Sequence, residues 1–166
     1  MATPPTLRTG PGAAFTAANL DSVLAMQACK DCDVISYPPR EVCQNCLSDA
    51  LVWTPVSSEG TLLNRVALHH SLSEFFKCRI EQSAWPIASV KMHVGPVVFA
   101  HLAVNTFAAR STEGIKANTP LKVFSQSDSG SQAVLIAVAA EQDIGTVAAR
   151  RDIVAAMGLL TPAQPI

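Results

Sequence analysis

The chain has 166 residues, 49% hydrophobic and 15% charged, with 12 Lys plus Arg against 13 Asp plus Glu. That balance argues against a nucleic-acid partner, and the apolar content argues against disorder over most of the length. The longest uninterrupted apolar stretch, residues 133–140, is far too short to cross a bilayer, and residues 1–20 lack the charged and greasy regions of a secretory signal, so the expectation is a soluble cytoplasmic protein.

Residues 1–18 are rich in Pro, Thr, Ala and Gly, with Arg8 their only charge, which predicts a loose arm. Residues 19–56 carry the most informative pattern. Val23-Leu24-Ala25-Met26 runs straight into Cys29 and reads as a strand, with an Asp21-capped turn of helix as the alternative. Cys29-Lys30-Asp31-Cys32 is then answered by Cys43-Gln44-Asn45-Cys46, so that four of the five cysteines fall within residues 29–46. Two CxxC knuckles present four soft thiolates at the spacing of a closed, structural zinc site. A disulfide pair, a redox CxxC and an iron-sulfur cluster are the competing readings, and the polar surround of Lys30, Asp31, Asp33, Gln44 and Asn45 suits a cluster least. Val34-Ile35-Ser36-Tyr37, stopped by Pro38-Pro39, supplies a hairpin between the knuckles, and residues 50–55 with Trp53 form the strand leaving the ribbon.

From residue 57 to 140 the pattern is β. Runs at residues 61–69, 86–94, 97–104, 121–125 and 132–139 are separated by turn residues, with Gly95-Pro96 making a hairpin and residues 105–119 long enough for a short helix. Five short strands with a long break after the third predict an oligonucleotide/oligosaccharide-binding (OB) barrel. Several runs are apolar in both phases: Val97, Phe99 and Ala103 alternate with Val98, Ala100, Leu102 and Val104. A small barrel hides only its inner face, so the outer one must be covered by the ribbon, the C-terminal segment or another chain. Residues 141–166 predict a helix carrying Val147, Val154 and Met157, broken near Gly158, and then a tail with Pro162 and Pro165.

The order of these landmarks resembles the DUF35 group, zinc-ribbon plus OB-fold proteins that accompany thiolases and related acyl-CoA enzymes. The resemblance is carried by Cys29, Cys32, Pro38-Pro39-Arg40, Cys43 and Cys46, then by Trp53, Ser58-Glu59-Gly60-Thr61, Pro86-Ile87-Ala88-Ser89-Val90, Gly95 and Asn118-Thr119-Pro120-Leu121-Lys122-Val123. It spans roughly residues 20–140. Asp33 and Gln44 stand where the group usually has Gly and Pro, and Ser-Glu-Gly replaces a common Gly-Arg-Gly. The resemblance implies a non-catalytic subunit in a hetero-oligomer with a thiolase, acyltransferase or aldolase-like partner, helping to shape its acyl-CoA channel. Lys91, Arg110, Lys116 and Lys122 are the candidates for CoA phosphates. Arg40 is expected to set its guanidinium near the ribbon's own carbonyls or at the partner surface.

The remaining polar residues form no convincing catalytic set. His69 and His70 are adjacent on a strand and point to opposite faces, with Ser71, Ser73, Glu74 and Cys78 beyond them in an expected surface loop tipped by Phe75-Phe76. His93 and His101 flank the hairpin turn, where they either face each other or are ordinary barrel histidines. A stand-alone enzyme using Cys78 or the His pair, and a single-strand nucleic-acid binder, remain the competing functions. Aromatics at 5% weigh against the second.

Overall fold

The computed structural model describes residues 9–20, 23–71, 74–127 and 132–159. Helix α1, Gly10–Ala18, comes first. Thr9 caps it, its Oγ1 accepting from the Gly12 N–H at 3.3 Å, and Pro11 occupies the first turn, where a missing N–H is not needed. Phe15 is buried, its ring centroid 6.0 Å from that of Tyr37 and 6.0 Å from that of Trp53. Residues 9–18 are therefore docked rather than loose: a single aromatic anchor replaces the apolar stripe that the composition lacks. The rest of the expected arm, residues 1–8, lies outside the described residues. Asn19 turns the chain onward, its Nδ2 donating to the carbonyls of Phe15 and Ala25 (2.9 and 3.1 Å) while its Oδ1 accepts from the Ala25 N–H at 2.8 Å.

The ribbon follows as an antiparallel sheet of β1 (Ala25–Cys29), β2 (Ile35–Ser36) and β3 (Leu51–Pro55), in the order β2-β1-β3. The strand reading prevails up to Cys29, and Asp21 lies outside the described residues. Gln27 closes the loop after Pro38-Pro39, its amide donating to the Arg40 carbonyl at 2.9 Å and accepting from the Arg40 N–H at 2.7 Å. Arg40 thus serves the ribbon through its backbone, and its side chain is exposed.

Five strands build the barrel: β4 (Glu59–Leu68), β5 (Trp85–Met92), β6 (Val97–Leu102), β7 (Pro120–Ser127) and β8 (Ala133–Ala139). They close in the order β4-β5-β6-β8-β7. All pairings are antiparallel except β6 with β8, which run parallel through His101↔Ile136 and Leu102↔Ala137. Gly60 sits where β4 pairs with both β5 and β7, and a Cβ there would stand 2.7 Å from Val90 Cγ1, so only glycine lets the strands close. Leu62, Val90, Met92, Val98, Leu102, Leu121 and Val123 fill the interior.

Two segments differ from expectation. Residues 69–84, expected as a loop, contain helix α2, Glu74–Gln82. Phe76 fixes it, its ring stacked on His101 at 5.4 Å and edge-on to Trp85 at 5.5 Å, and Arg79 Nη2 donates to the Gly158 carbonyl at 2.7 Å. Tertiary contacts, not a helical apolar period, hold these residues as a helix. Residues 105–119 form only a 3₁₀ turn, Val104–Thr106, and further turns, which bury Phe107 and Ile115 in the barrel core. Finally α3, Val147–Ala156, capped by Thr146 and ended by Gly158 at φ +74°, lays Ile153 and Val154 over Phe124, Ile136 and Val138. That covers the outer face of β7 and β8. Across β4 and β6 the outer face stays open, with Leu63, Val66, Val97 and Phe99 exposed, Phe99 to 61%. The tail with Pro162 and Pro165 lies outside the described residues.

Candidate metal centre

The two knuckles are built alike. Cys29, at the end of β1, donates its N–H to Val34 O and accepts from Asp33 N–H at its own carbonyl, 3.1 and 2.9 Å. Cys43 repeats this with Ser48 O and Leu47 N–H, at 2.8 and 3.1 Å. In each knuckle the residue after the second cysteine is left-handed, Asp33 at φ +58° and Leu47 at φ +62°. These are positions where glycine is unstrained, which is the physical content of the Gly usually found where Asp33 stands.

The turns bring all four sulfurs within 4.8 Å of one another, with Cys29 and Cys46 Sγ 3.5 Å apart and Cys32 and Cys43 Sγ 3.6 Å apart. All four are free cysteines. A zinc ion with Zn–S bonds of about 2.3 Å needs a tetrahedron whose edge is about 3.8 Å, so the four sulfurs fit the ion. Backbone N–H groups of Cys46 and Asn45 draw the Cys43 thiol down to about 6, against burial, which raises it; the Asn45 N–H lies 3.4 Å from its sulfur. At Cys46 the Ser48 N–H works in the same lowering direction but is outweighed by the crowded sulfurs of Cys32, Cys29 and Cys43 together with burial, which push it up to about 12. Four sulfurs this close cannot all ionise without a cation among them.

Residues 20–52 match the family of the ChsH2 rubredoxin-like zinc ribbon domain. The ribbon is thus similar to the ChsH2 zinc ribbon. Beyond the ribbon, a solved structure described as the "Ltp2-ChsH2(DUF35) aldolase" is similar with a TM-score of 0.60 at 17% identity, covering 81% of this chain and 98% of that one. At that identity the likeness establishes the shared fold, a zinc-ribbon sheet followed by a five-stranded barrel and a C-terminal helix. No curated protein sequence matches the chain. No helix among the described residues is long and apolar enough to cross a membrane.

The basic candidates are dispersed in their roles. Lys91 Nζ donates to the Gly95 carbonyl, Lys122 Nζ to the Gln142 carbonyl at 3.2 Å, and Arg110 and Lys116 are exposed on the connection between β6 and β7. His93 and His101 do not face each other. His101 Nδ1 accepts from the Trp85 indole N–H at 2.9 Å, whereas His93 sits past the end of β5, with Nε2 3.4 Å from Thr61 Oγ1 and Nδ1 3.6 Å from Glu59 Oε2. The Thr61-His93-Glu59 order is that of a nucleophile, a base and an orienting acid, and sequence reasoning missed it because the register β4·β5 alone brings the three together. The His93 and Glu59 side chains are 55% and 67% exposed, so water competes for both contacts, and none of the described cavities includes these residues. His69 and His70 lie exposed beyond β4, beside Lys77 and Glu81 in a hollow of about 310 Å³. The Cys78 side chain and Ser73 lie outside the described residues.

Proposed function

We propose that the chain is a non-catalytic accessory subunit, stapled by one structural Zn²⁺ on Cys29, Cys32, Cys43 and Cys46, that binds a thiolase-, acyltransferase- or aldolase-like enzyme acting on acyl-CoA. Four thiolates complete the zinc coordination and leave no position for water or substrate, so the ion supplies folding energy and no Lewis-acid step. The bond chemistry belongs to the partner, and the acyl-CoA is held between the two chains with Lys116 as an uncommitted cation at the shared surface. Lys91 and Lys122 already donate to carbonyls of this chain.

One observation supports this reading above the others: α3 covers β7 and β8 but leaves Leu63, Val66, Val97 and Phe99 exposed on β4 and β6. An aromatic ring displayed to water on a rigid strand is the kind of anchor that a partner surface buries. The solved chain of the same fold is described as part of an aldolase with Ltp2, which is consistent with such a role. The test is co-purification of the tagged chain with a thiolase-like enzyme, repeated with Phe99→Asp. The expected result is loss of the partner with an unchanged circular-dichroism spectrum and zinc content. Full activity from the chain purified alone, or a complex indifferent to Phe99→Asp, would falsify the assignment.

A further inference from the structure

At one end of the barrel a slot of about 480 Å³ opens between the start of β5, the end of β6 and the end of α3. Trp85, Pro86, Leu102, Val104 and Met157 give it apolar walls. Arg110 is the charged member of its lining, and no lining residue is acidic. Arg110 is exposed and left-handed, φ +47°; its N–H is bound to the Phe107 carbonyl, and no group among the described residues accepts from its guanidinium. An apolar slot of this volume with one uncommitted cation is the arrangement of a site for an amphipathic anion.

We propose that this slot binds an acyl or aryl carboxylate, with the apolar chain against Trp85 and Met157 and the carboxylate paired with the planar fork of Arg110. A single guanidinium balances a monoanion. A phosphate, carrying more charge and more water, would call for a second cation that the slot does not have, so Arg110 is given a different ligand from the CoA phosphate expected of it. The inference rests on the slot alone and stands apart from the partner reading.

The test titrates the full-length, zinc-loaded chain with octanoate and with octanol, following tryptophan emission, since Trp85 forms part of the wall. Two variants accompany it. Arg110→Gly removes the charge at a backbone position that suits glycine, so its thermal midpoint should hold or rise. Ala156→Phe fills the slot from an exposed helix position. The expected result is saturable octanoate binding that is about tenfold weaker in Arg110→Gly, similarly weakened for octanol, and abolished in Ala156→Phe. Absence of saturable binding, equal affinity for octanol, an unchanged affinity in Arg110→Gly, or binding that survives Ala156→Phe would each overturn it. So would a response to a peptide's C-terminal carboxylate with none to octanoate.

Discussion

The ribbon makes its sheet from three strands, one of them only two residues long, and two of its four cysteines, Cys29 and Cys43, are buried beside Leu24, Ala25 and Met26. The barrel encloses Leu62, Val90, Met92, Val98, Leu102, Leu121 and Val123 and backs two of its strands with a helix. The first region has too little apolar burial to order its own loops and must be closed by a metal; the second is closed by exclusion of water. The same chain therefore contains one region that ought to fail when a single ligand is lost and another that ought to tolerate it.

Metal removal is the sharpest way to separate the two. Structural zinc contributes about 10–16 kcal/mol of apparent binding free energy in small ribbons, so chelation or Cys29→Ser should unfold the ribbon while the barrel strands persist. Near-ultraviolet circular dichroism of Tyr37 and Trp53 should collapse while most far-ultraviolet β signal remains. Acid should act similarly. The Cys43 thiol, lowered in the folded state from 9.0 to about 6, contributes stability that is fully present above about pH 9 and lost as pH falls through about 6. Zinc release measured by a chromogenic chelator should rise as pH falls, because protons compete with the ion for the thiolates.

Within the barrel the comparable injury is a cavity. Phe124→Ala removes a fully buried ring from beneath α3 and should cost about 3–5 kcal/mol by urea unfolding, with zinc still bound. Phe15→Ala strikes the junction, where Tyr37 and Trp53 meet the helix. It should cost about 2–4 kcal/mol and expose α1 to protease while leaving the metal in place. The smallest effect is a gain: Leu47→Gly relieves a left-handed residue whose side chain is 76% exposed, and should stabilise the zinc-loaded ribbon by about 0.5–1 kcal/mol in chemical denaturation.

The ribbon was legible in the sequence because its constraint is chemical: Cys29, Cys32, Cys43 and Cys46 declare themselves by spacing. The barrel was legible because five β-prone runs alternate with turns; the apolar double phase called for a covered outer face, which α3 supplies over β7 and β8, whereas residues 97–104, the run that carried that reading, leave Val97 and Phe99 exposed. What escaped depended on distant partners. Nothing local in Gly10–Ala18 marks Phe15 as an anchor, and the Ser71-Leu72-Ser73-Glu74 sequence leading into α2 does not by itself say what the helix packs on, since Phe76 finds Trp85 and His101 only once β5 and β6 are paired. The same holds for His93, whose contacts with Thr61 and Glu59 arise from register and are invisible in spacing.

The parallel join between β6 and β8 is only two rungs long, and beyond it a cleft of about 370 Å³ separates Phe99 and Ala100 from Val134 and Leu135, walled on its far side by Phe15, Tyr37 and Pro39. The seam that shuts the cylinder is thus its least stitched, and the helix and the ribbon loop lie across it like a clamp. Anything that slackens the clamp lets the cylinder breathe there first, while its longer ladders keep their pairing. Zinc loss that unfolds the ribbon is therefore expected to loosen this seam first, although its strands hold none of the four metal-site cysteines.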